Sequence, residues 1–285
     1  MSDQMDLSFM DRPELLEIIF PVVYSSFYLS DYLESFPSNV PTYSIEVEEG
    51  IQINCGFWTS SHEHPSILYF HGNGEAAAGH DWIASFYNQR GINLFVTDYR
   101  GYGTSKGNPT VSNMISDTHA LFKGFREIIR QENFSESLFL MGRSLGSIPA
   151  IELAYHYQEE VCGLIIESGS ANNFRRLWNY IDIKGKEAIL GEQSPFLNKV
   201  KIQHVHKPTL IIHGEYDEIL PVGEGKELYQ SSGSPDKEIL IISGAGHNDI
   251  MIANQELYFD KIEQFIKAHC RMCKAKGDKK GGTTN

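Results

Sequence analysis

The sequence predicts an α/β fold, in which an eight-stranded, mostly parallel sheet is flanked by helices. Short runs of β-branched and aliphatic residues alternate with longer segments of helical periodicity, and most of the apolar runs are uninterrupted, as in strands buried on both faces. Two further runs joined by Glu49-Gly50 begin the sheet as an antiparallel hairpin. The length of 285 residues and the hydrophobic content of 41% fit one large domain.

The individual elements follow from these runs in chain order. Strands are predicted at residues 43–48, 51–58, 66–70, 93–97, 138–141, 163–166, 209–212 and 238–242. Helices are predicted between most successive strands, at residues 81–89, 111–130, 146–157, 224–230 and 254–269. We therefore expect one α/β domain over residues 43–270, with residues 1–42 as an N-terminal extension that packs on it.

Two segments depart from the alternation of strands and helices. Residues 168–207 are too many for a simple crossover, and their aromatic residues suggest a small cap over a pocket: Phe174, Trp178, Tyr180 and Phe196. Residues 271–285 hold five basic residues and almost no apolar ones, which predicts a disordered tail. A weak contact of this basic tail with a membrane surface is the alternative.

Composition narrows the classes of function and the compartment. A formal net charge of -13 argues against a nucleic-acid partner, because phosphate binding needs concentrated Lys and Arg. The four cysteines lack the dense spacing of a disulfide scaffold, which favours reduced thiols and a cytoplasmic location. The acidic N-terminus does not resemble a signal peptide, and the apolar stretch at 15–23 is short and contains Pro21, so we expect no stable membrane insertion. No feature indicates an oligomeric state.

Metal binding is not expected from the sequence. An interaction module that uses Cys270 and Cys273 as half of a zinc site is a further alternative, but no second pair of ligands accompanies them. The histidines outside the candidate site show no convincing ligand spacing.

A nucleophilic serine is predicted at the turn between the fifth strand and the helix that follows it. The segment GRSLG at 142–146 has small residues where a sharp strand-to-helix turn needs them, and this turn would expose Ser144 at the carboxyl edge of the sheet. A second match, GTSKG at 103–107, lies in a long turn with no helix behind it. Ser144 is therefore the predicted nucleophile, and Ser105 is the alternative.

The base and the orienting acid are predicted in loops after later strands. A serine hydroxyl needs a base, and His247 lies in a glycine-rich loop directly after the last strand; the alternative is that this histidine only faces solvent. Asp217 follows the seventh strand, which gives the chain order Ser, Asp, His. Glu167, at the end of the sixth strand, is the rival acid. His71, after the third strand, is expected to brace its own turn.

Acyl transfer also requires donors for an oxyanion. The small, open loop HGNG at 71–74 follows the third strand at the same predicted edge. We predict that the backbone N–H groups of Asn73 and Leu145 form the oxyanion hole, although the loop could be merely a tight turn.

Taken together, five segments resemble the α/β-hydrolase superfamily: HGNG at 71–74, DYRGYG at 98–103, GRSLG at 142–146, HG at 213–214 with Asp217, and GH at 246–247. The resemblance covers roughly residues 43–269, and the first three segments resemble the branch of α/β-hydrolase-domain acyl-protein thioesterases and bacterial esterases. It implies the triad and oxyanion residues named above, an eight-stranded sheet and no cofactor. The sequence lacks the N-terminal cysteine cluster of the animal thioesterases in that branch, so their membrane substrates are not carried over.

The sequence thus predicts a serine hydrolase that cleaves carboxylic ester or thioester bonds of a small-molecule or acylated substrate through an acyl-enzyme. An amidase, a peptidase or an acyltransferase can use the same triad. A non-catalytic protein of the same fold that binds a small ligand is the alternative from a different class.

Overall fold

The computed structural model describes residues 7–24, 36, 39–174 and 194–270. The predicted α/β fold is confirmed, with eight strands in the order β1-β2-β4-β3-β5-β6-β7-β8. The β1–β2 and β2–β4 pairs are antiparallel and the other neighbouring pairs are parallel. The strands are β1 (Thr42–Glu48), β2 (Ile51–Trp58), β3 (Ser66–Phe70), β4 (Asn93–Thr97), β5 (Leu138–Arg143), β6 (Gly163–Glu167), β7 (Thr209–Gly214) and β8 (Lys237–Ile242).

The described ranges contain nine α-helices, including the five that the sequence predicts. They are α1 (Pro13–Ile19), α2 (Pro21–Tyr24), α3 (Asp81–Gln89), α4 (Val111–Gln131), α5 (Ser147–His156), α6 (Asn198–Lys201), α7 (Val222–Ser231), α8 (Ile250–Ala253) and α9 (Gln255–His269). None of them is long and apolar enough to cross a lipid bilayer.

Two hydrophobic cores cover the two faces of the sheet, because successive strand residues point to opposite sides. On β3, Leu68 and Phe70 join the core under α1, α4 and α5, whereas Ile67 and Tyr69 join the core under α3 and α9. Since both faces are covered, the central strands are buried along their whole length.

The N-terminal residues of the described chain pack against the first of these cores. Leu15, Leu16 and Phe20 are buried there, and Phe20 alone separates the end of α1 from Pro21, the first residue of α2. The side chain of Asp11 accepts a hydrogen bond from the backbone N–H of Ser112 at 3.2 Å, which ties this segment to the start of α4.

Much of the predicted cap lies outside the described residues, including Trp178 and Tyr180, and so does the predicted tail at 271–285. Of the other two aromatic residues, Phe196 is buried in the main core and the ring of Phe174 stacks on it with centroids 6.1 Å apart. Phe196 therefore belongs to this core, and the partly buried Phe174 packs against it.

Candidate active site

The turn between β5 and α5 holds Ser144 in a strained conformation. Its φ angle of 51° lies in the left-handed region that non-glycine residues rarely adopt. A Cβ atom at Gly142 would lie 2.1 Å from the carbonyl oxygen of Gly146, and one at Gly146 would lie 2.0 Å from the carbonyl oxygen of Phe70. The turn therefore packs so closely on itself and on the end of β3 that only glycine fits at both positions.

Three side chains that the sequence places in separate loops meet at the carboxyl edge of the sheet. His247 Nε2 lies 2.9 Å from Ser144 Oγ, and His247 Nδ1 lies 2.7 Å from Asp217 Oδ2. His247 is 4% exposed and Asp217 5%, whereas Ser144 is only partly buried. An incoming substrate can therefore contact the hydroxyl, while the histidine and the acid behind it are shielded from water.

Asp217 accepts hydrogen bonds on both carboxylate oxygens. Oδ1 accepts from the backbone N–H groups of Ile219 at 3.0 Å and Leu220 at 2.6 Å, while Oδ2 faces His247 and lies 3.4 Å from His213 Nε2. Burial alone would raise the pKa of Asp217, but the hydrogen bonds from His213, His247 and the Leu220 N–H hold it well below its usual value. The ionised carboxylate favours a proton on His247 Nδ1, which leaves Nε2 free to accept one.

The HGNG loop after β3 is held by the DYRGYG turn after β4. Asp98 Oδ1 lies 3.2 Å from His71 Nε2, and the Tyr99 hydroxyl donates to the carbonyl oxygen of His71 at 2.7 Å. The Tyr102 hydroxyl donates to Asn73 Oδ1 at 2.6 Å. His71 is fully buried and braces its own turn. The DYRGYG turn therefore holds the HGNG loop in place.

The predicted oxyanion donors lie on two segments that contact each other. A Cβ atom at Gly146 would lie 2.9 Å from the carbonyl oxygen of His71, so the HGNG loop lies directly against the serine turn. Asn73 also donates through Nδ2 to the carbonyl oxygen of Ile19 in α1 at 2.7 Å, which fixes its side chain from both ends. Among the described residues, none accepts a hydrogen bond from the Asn73 backbone N–H.

Arg143, which the sequence analysis did not single out, connects the loops of this site. Its Nη2 donates to the carbonyl oxygen of His247 at 2.9 Å and to Asn248 Oδ1 at 3.0 Å. Its Nε donates to Glu167 at 3.1 Å, and its Nη1 pairs with Glu75, which also accepts from the Gly72 N–H. Burial would lower the pKa of Arg143, but the two carboxylates raise it, so the guanidinium stays charged. The one feature of the sequence that could have indicated this linking role is the position of Arg143, a charged residue at the end of an apolar strand.

The two rival site residues make structural contacts. Ser105 is buried, and its Oγ accepts a hydrogen bond from the Asn54 N–H at 2.8 Å. Glu167 is fully buried between Arg143 and the hydroxyl of Tyr258, which donates to its Oε2 at 2.5 Å. In the described part of the chain, neither residue is hydrogen-bonded to a histidine.

Sequence comparison finds related hydrolases. Residues 61–190 match the family described as serine aminopeptidase, S33. The chain is 31% identical over 234 residues to alpha/beta hydrolase domain-containing protein 17B of Homo sapiens. The aligned region covers 80% of this chain and 75% of the human protein. The chain is also 31% identical over 232 residues to protein 17C of Xenopus tropicalis, which covers 80% of this chain and 70% of that protein.

Solved structures share the fold at lower identity. An esterase of Pyrococcus furiosus superposes with a TM-score of 0.66 at 20% identity, covering 81% of this chain and 93% of the esterase. Est1E of Butyrivibrio proteoclasticus, whose structure has ferulic acid bound, gives a TM-score of 0.66 at 18% identity and covers 80% of this chain and 98% of Est1E. Because the 31% identity extends over 80% of its length, the chain belongs to the α/β-hydrolase superfamily and is a hydrolase of the serine-hydrolase type.

Proposed function

We propose that the protein cleaves carboxylic ester or thioester bonds, with Ser144 as nucleophile, His247 as general base and Asp217 as the acid that orients the histidine. The observation that carries this proposal is the unbroken chain of contacts from the partly exposed Ser144 Oγ through both nitrogens of His247 to Asp217. A serine hydroxyl is hardly ionised at neutral pH, and this chain supplies the base that activates it.

The geometry supports the following acylation step. As Ser144 Oγ attacks the carbonyl carbon, its proton passes to His247 Nε2, 2.9 Å away. The resulting imidazolium is stabilised by the Asp217 carboxylate at Nδ1. The backbone N–H groups of Asn73 and Leu145 donate to the developing oxyanion.

The same residues support the second half of the reaction. The leaving alcohol or thiol takes the proton from His247 Nε2, and the acyl group remains on Ser144. His247 then accepts a proton from water, whose oxygen attacks the acyl carbon, and Ser144 regains its proton as the carboxylic acid departs.

The test is labelling with a fluorophosphonate probe, followed by hydrolysis of p-nitrophenyl esters of increasing acyl length. We expect wild type and Ser105→Ala to be labelled equally and Ser144→Ala not at all; the Ser105 variant is the matched control because it removes the serine of the other G-x-S-x-G segment. The dependence of the hydrolysis rate on acyl length then gives the length of acyl chain that the pocket accepts. If Ser144→Ala is labelled like wild type, or if folded wild type is not labelled, the protein is better described as a non-catalytic binder.

Cleavage of amide bonds is the second candidate, because residues 61–190 match the family described as serine aminopeptidase. The same triad can attack an amide, but the amine leaves only when His247 protonates it. Parallel assays with a p-nitrophenyl ester, an acyl thioester and an aminoacyl p-nitroanilide discriminate the candidates. A kcat/KM on the anilide that equals or exceeds those on the other two would replace the esterase proposal.

A further inference from the structure

A group of three potential metal ligands lies between α4 and α5, away from the candidate active site. It consists of His119 on α4 and of Glu152 and His156, one turn apart on α5. One nitrogen from each imidazole and one oxygen of the carboxylate lie within 4.8 Å of one another. We propose that these residues, named here the α4–α5 cluster, bind a divalent transition metal such as Zn²⁺; this proposal is independent of the proposed function.

The separations within the α4–α5 cluster suit a tetrahedral ion. Glu152 Oε1 lies 3.3 Å from His119 Nε2 and 3.0 Å from His156 Nε2. Ligand atoms about 2.0–2.1 Å from a tetrahedral zinc lie about 3.3 Å from one another. Two edges of the coordination tetrahedron are therefore nearly in place, and the fourth position is left for water. The third edge, between the two imidazole nitrogens, can close through rotation of the partly exposed His156 ring.

The neighbours of the α4–α5 cluster provide the outer contacts that protein metal sites usually have. His119 Nδ1 lies 3.1 Å from the Tyr157 hydroxyl, so its other nitrogen, Nε2, is directed at the cluster. Glu152 Oε2 is paired with Lys201, which leaves Oε1 as the ligand atom. Lys201 also places a positive charge close to the ion, so we expect micromolar rather than nanomolar affinity.

Ligand chemistry determines the class of metal. Two imidazoles and one carboxylate favour Zn²⁺, Cu²⁺, Ni²⁺ or Co²⁺ over Mg²⁺ and Ca²⁺, which prefer oxygen ligands. Along a helix with a rise of about 1.5 Å per residue, Glu152 and His156 lie roughly 8 and 14 Å from the start of α5 at Ser147. The ion would therefore link α4 to α5 without touching the reacting atoms at Ser144.

The test is Zn²⁺ binding by isothermal titration calorimetry to protein that has been stripped of metal with a chelator. We expect one saturable site in wild type, and affinity losses of more than about 10-fold in His119→Ala and His156→Ala. His204→Ala is the matched control because His204 is exposed on a neighbouring segment and is not a member of the α4–α5 cluster. His247→Ala should also bind as wild type does, which separates the α4–α5 cluster from the candidate triad.

The melting temperature and the absorption spectrum of the Co²⁺ form provide two further tests of the α4–α5 cluster. The melting temperature of wild type should rise with Zn²⁺, and that of folded His156→Ala should not. Co²⁺ bound in place of Zn²⁺ should give the visible bands of a four-coordinate ion without the near-ultraviolet thiolate band that cysteine ligands would add. Unchanged affinity in both cluster variants, loss of binding in His247→Ala, a thiolate band, or no saturable binding to wild type would each overturn the proposal.

Discussion

Replacing Asp217 by asparagine should disable the candidate base without removing any atom from the hydrogen-bonded chain. Asp217 Oδ1 accepts from two backbone N–H groups, those of Ile219 and Leu220. Backbone donors cannot become acceptors, so the asparagine oxygen must stay on that side and its NH₂ group must face His247 Nδ1. An imidazole can change tautomer, and His247 will then carry its proton on Nε2, where it points at Ser144.

The expected fall in kcat follows from this change of tautomer. With the proton on Nε2, His247 can no longer accept the proton of Ser144 Oγ, 2.9 Å away. In serine hydrolases of this arrangement, the same substitution lowers kcat by about 10⁴-fold, which corresponds to roughly 5.5 kcal/mol of transition-state free energy. KM should change little, because Asp217 is buried behind His247 and is not positioned to touch substrate.

The assay is kcat and KM on the best p-nitrophenyl ester, for wild type, Asp217→Asn and Glu218→Gln. The last variant removes the charge of an exposed neighbouring carboxylate and should stay within about 2-fold of wild type, since surface charges are weakly coupled to buried sites. A fall of less than about 10-fold in Asp217→Asn, or an equal fall in both variants, would refute the assignment of Asp217 as the orienting acid.

Four other predictions follow from the structure. Arg143→Lys keeps a positive charge but loses the fork that binds several partners, so kcat should fall by about 10- to 100-fold with little change in KM, as measured on the same ester. Gly146→Ala should yield little folded protein, whereas Gly223→Ala, with open space at its Cβ, should raise the free energy of unfolding in urea by about 0.5 kcal/mol. Phe20→Ala should lower that free energy by about 3 kcal/mol, because the ring is fully buried. Finally, since the pKa of Asp217 is lowered on folding, its carboxylate stabilises the fold above about pH 4, and this contribution is lost as the pH falls through the folded-state pKa; Asp217→Asn should weaken the dependence of unfolding free energy on pH below about 4.

The sheet could be predicted from the sequence because both of its faces are buried. A strand covered on both sides is an uninterrupted apolar run in the sequence. Three of the eight strands, β2, β3 and β4, have the predicted bounds, and three more, β1, β6 and β8, differ by one residue at one end. Ser144, Asp217 and His247 follow β5, β7 and β8. Because parallel strands end at the same edge, the predicted bounds place these three residues at one edge of the sheet, and the strand order β5-β6-β7-β8 of the structure brings their loops together.

The apolar pattern did not predict the correct strand end where the last residues of a strand are charged. The sequence predicts that the fifth and sixth strands stop at residues 141 and 166, but they continue to Arg143 and Glu167, which are direct partners across the two strands. The two side chains form an ion pair, so the pair can be buried where neither charge alone could be. A single sequence shows each charge separately, and only the register of the sheet shows that they meet.

Contacts between distant helices were also not visible in the sequence. His119 and Glu152 are separated by 33 positions and come together because α4 and α5 pack side by side. The contact between α1 and Asn73 is of the same kind, since it joins residues 54 positions apart. No local spacing rule reports such pairs.

The side chain of Arg143, which was not predicted as a site residue, holds the predicted site residues in place. Arg143 is the residue before Ser144, and its guanidinium donates to the carbonyl oxygen of His247, so one side chain links the Ser144 turn to the histidine loop. Its pairing with Glu75 extends this link to the loop of Asn73. Lysine could satisfy one of these partners at a time, whereas the planar fork of arginine satisfies them together. The Ser144–His247 distance is therefore fixed from within the protein before substrate arrives, which is the condition for efficient proton transfer.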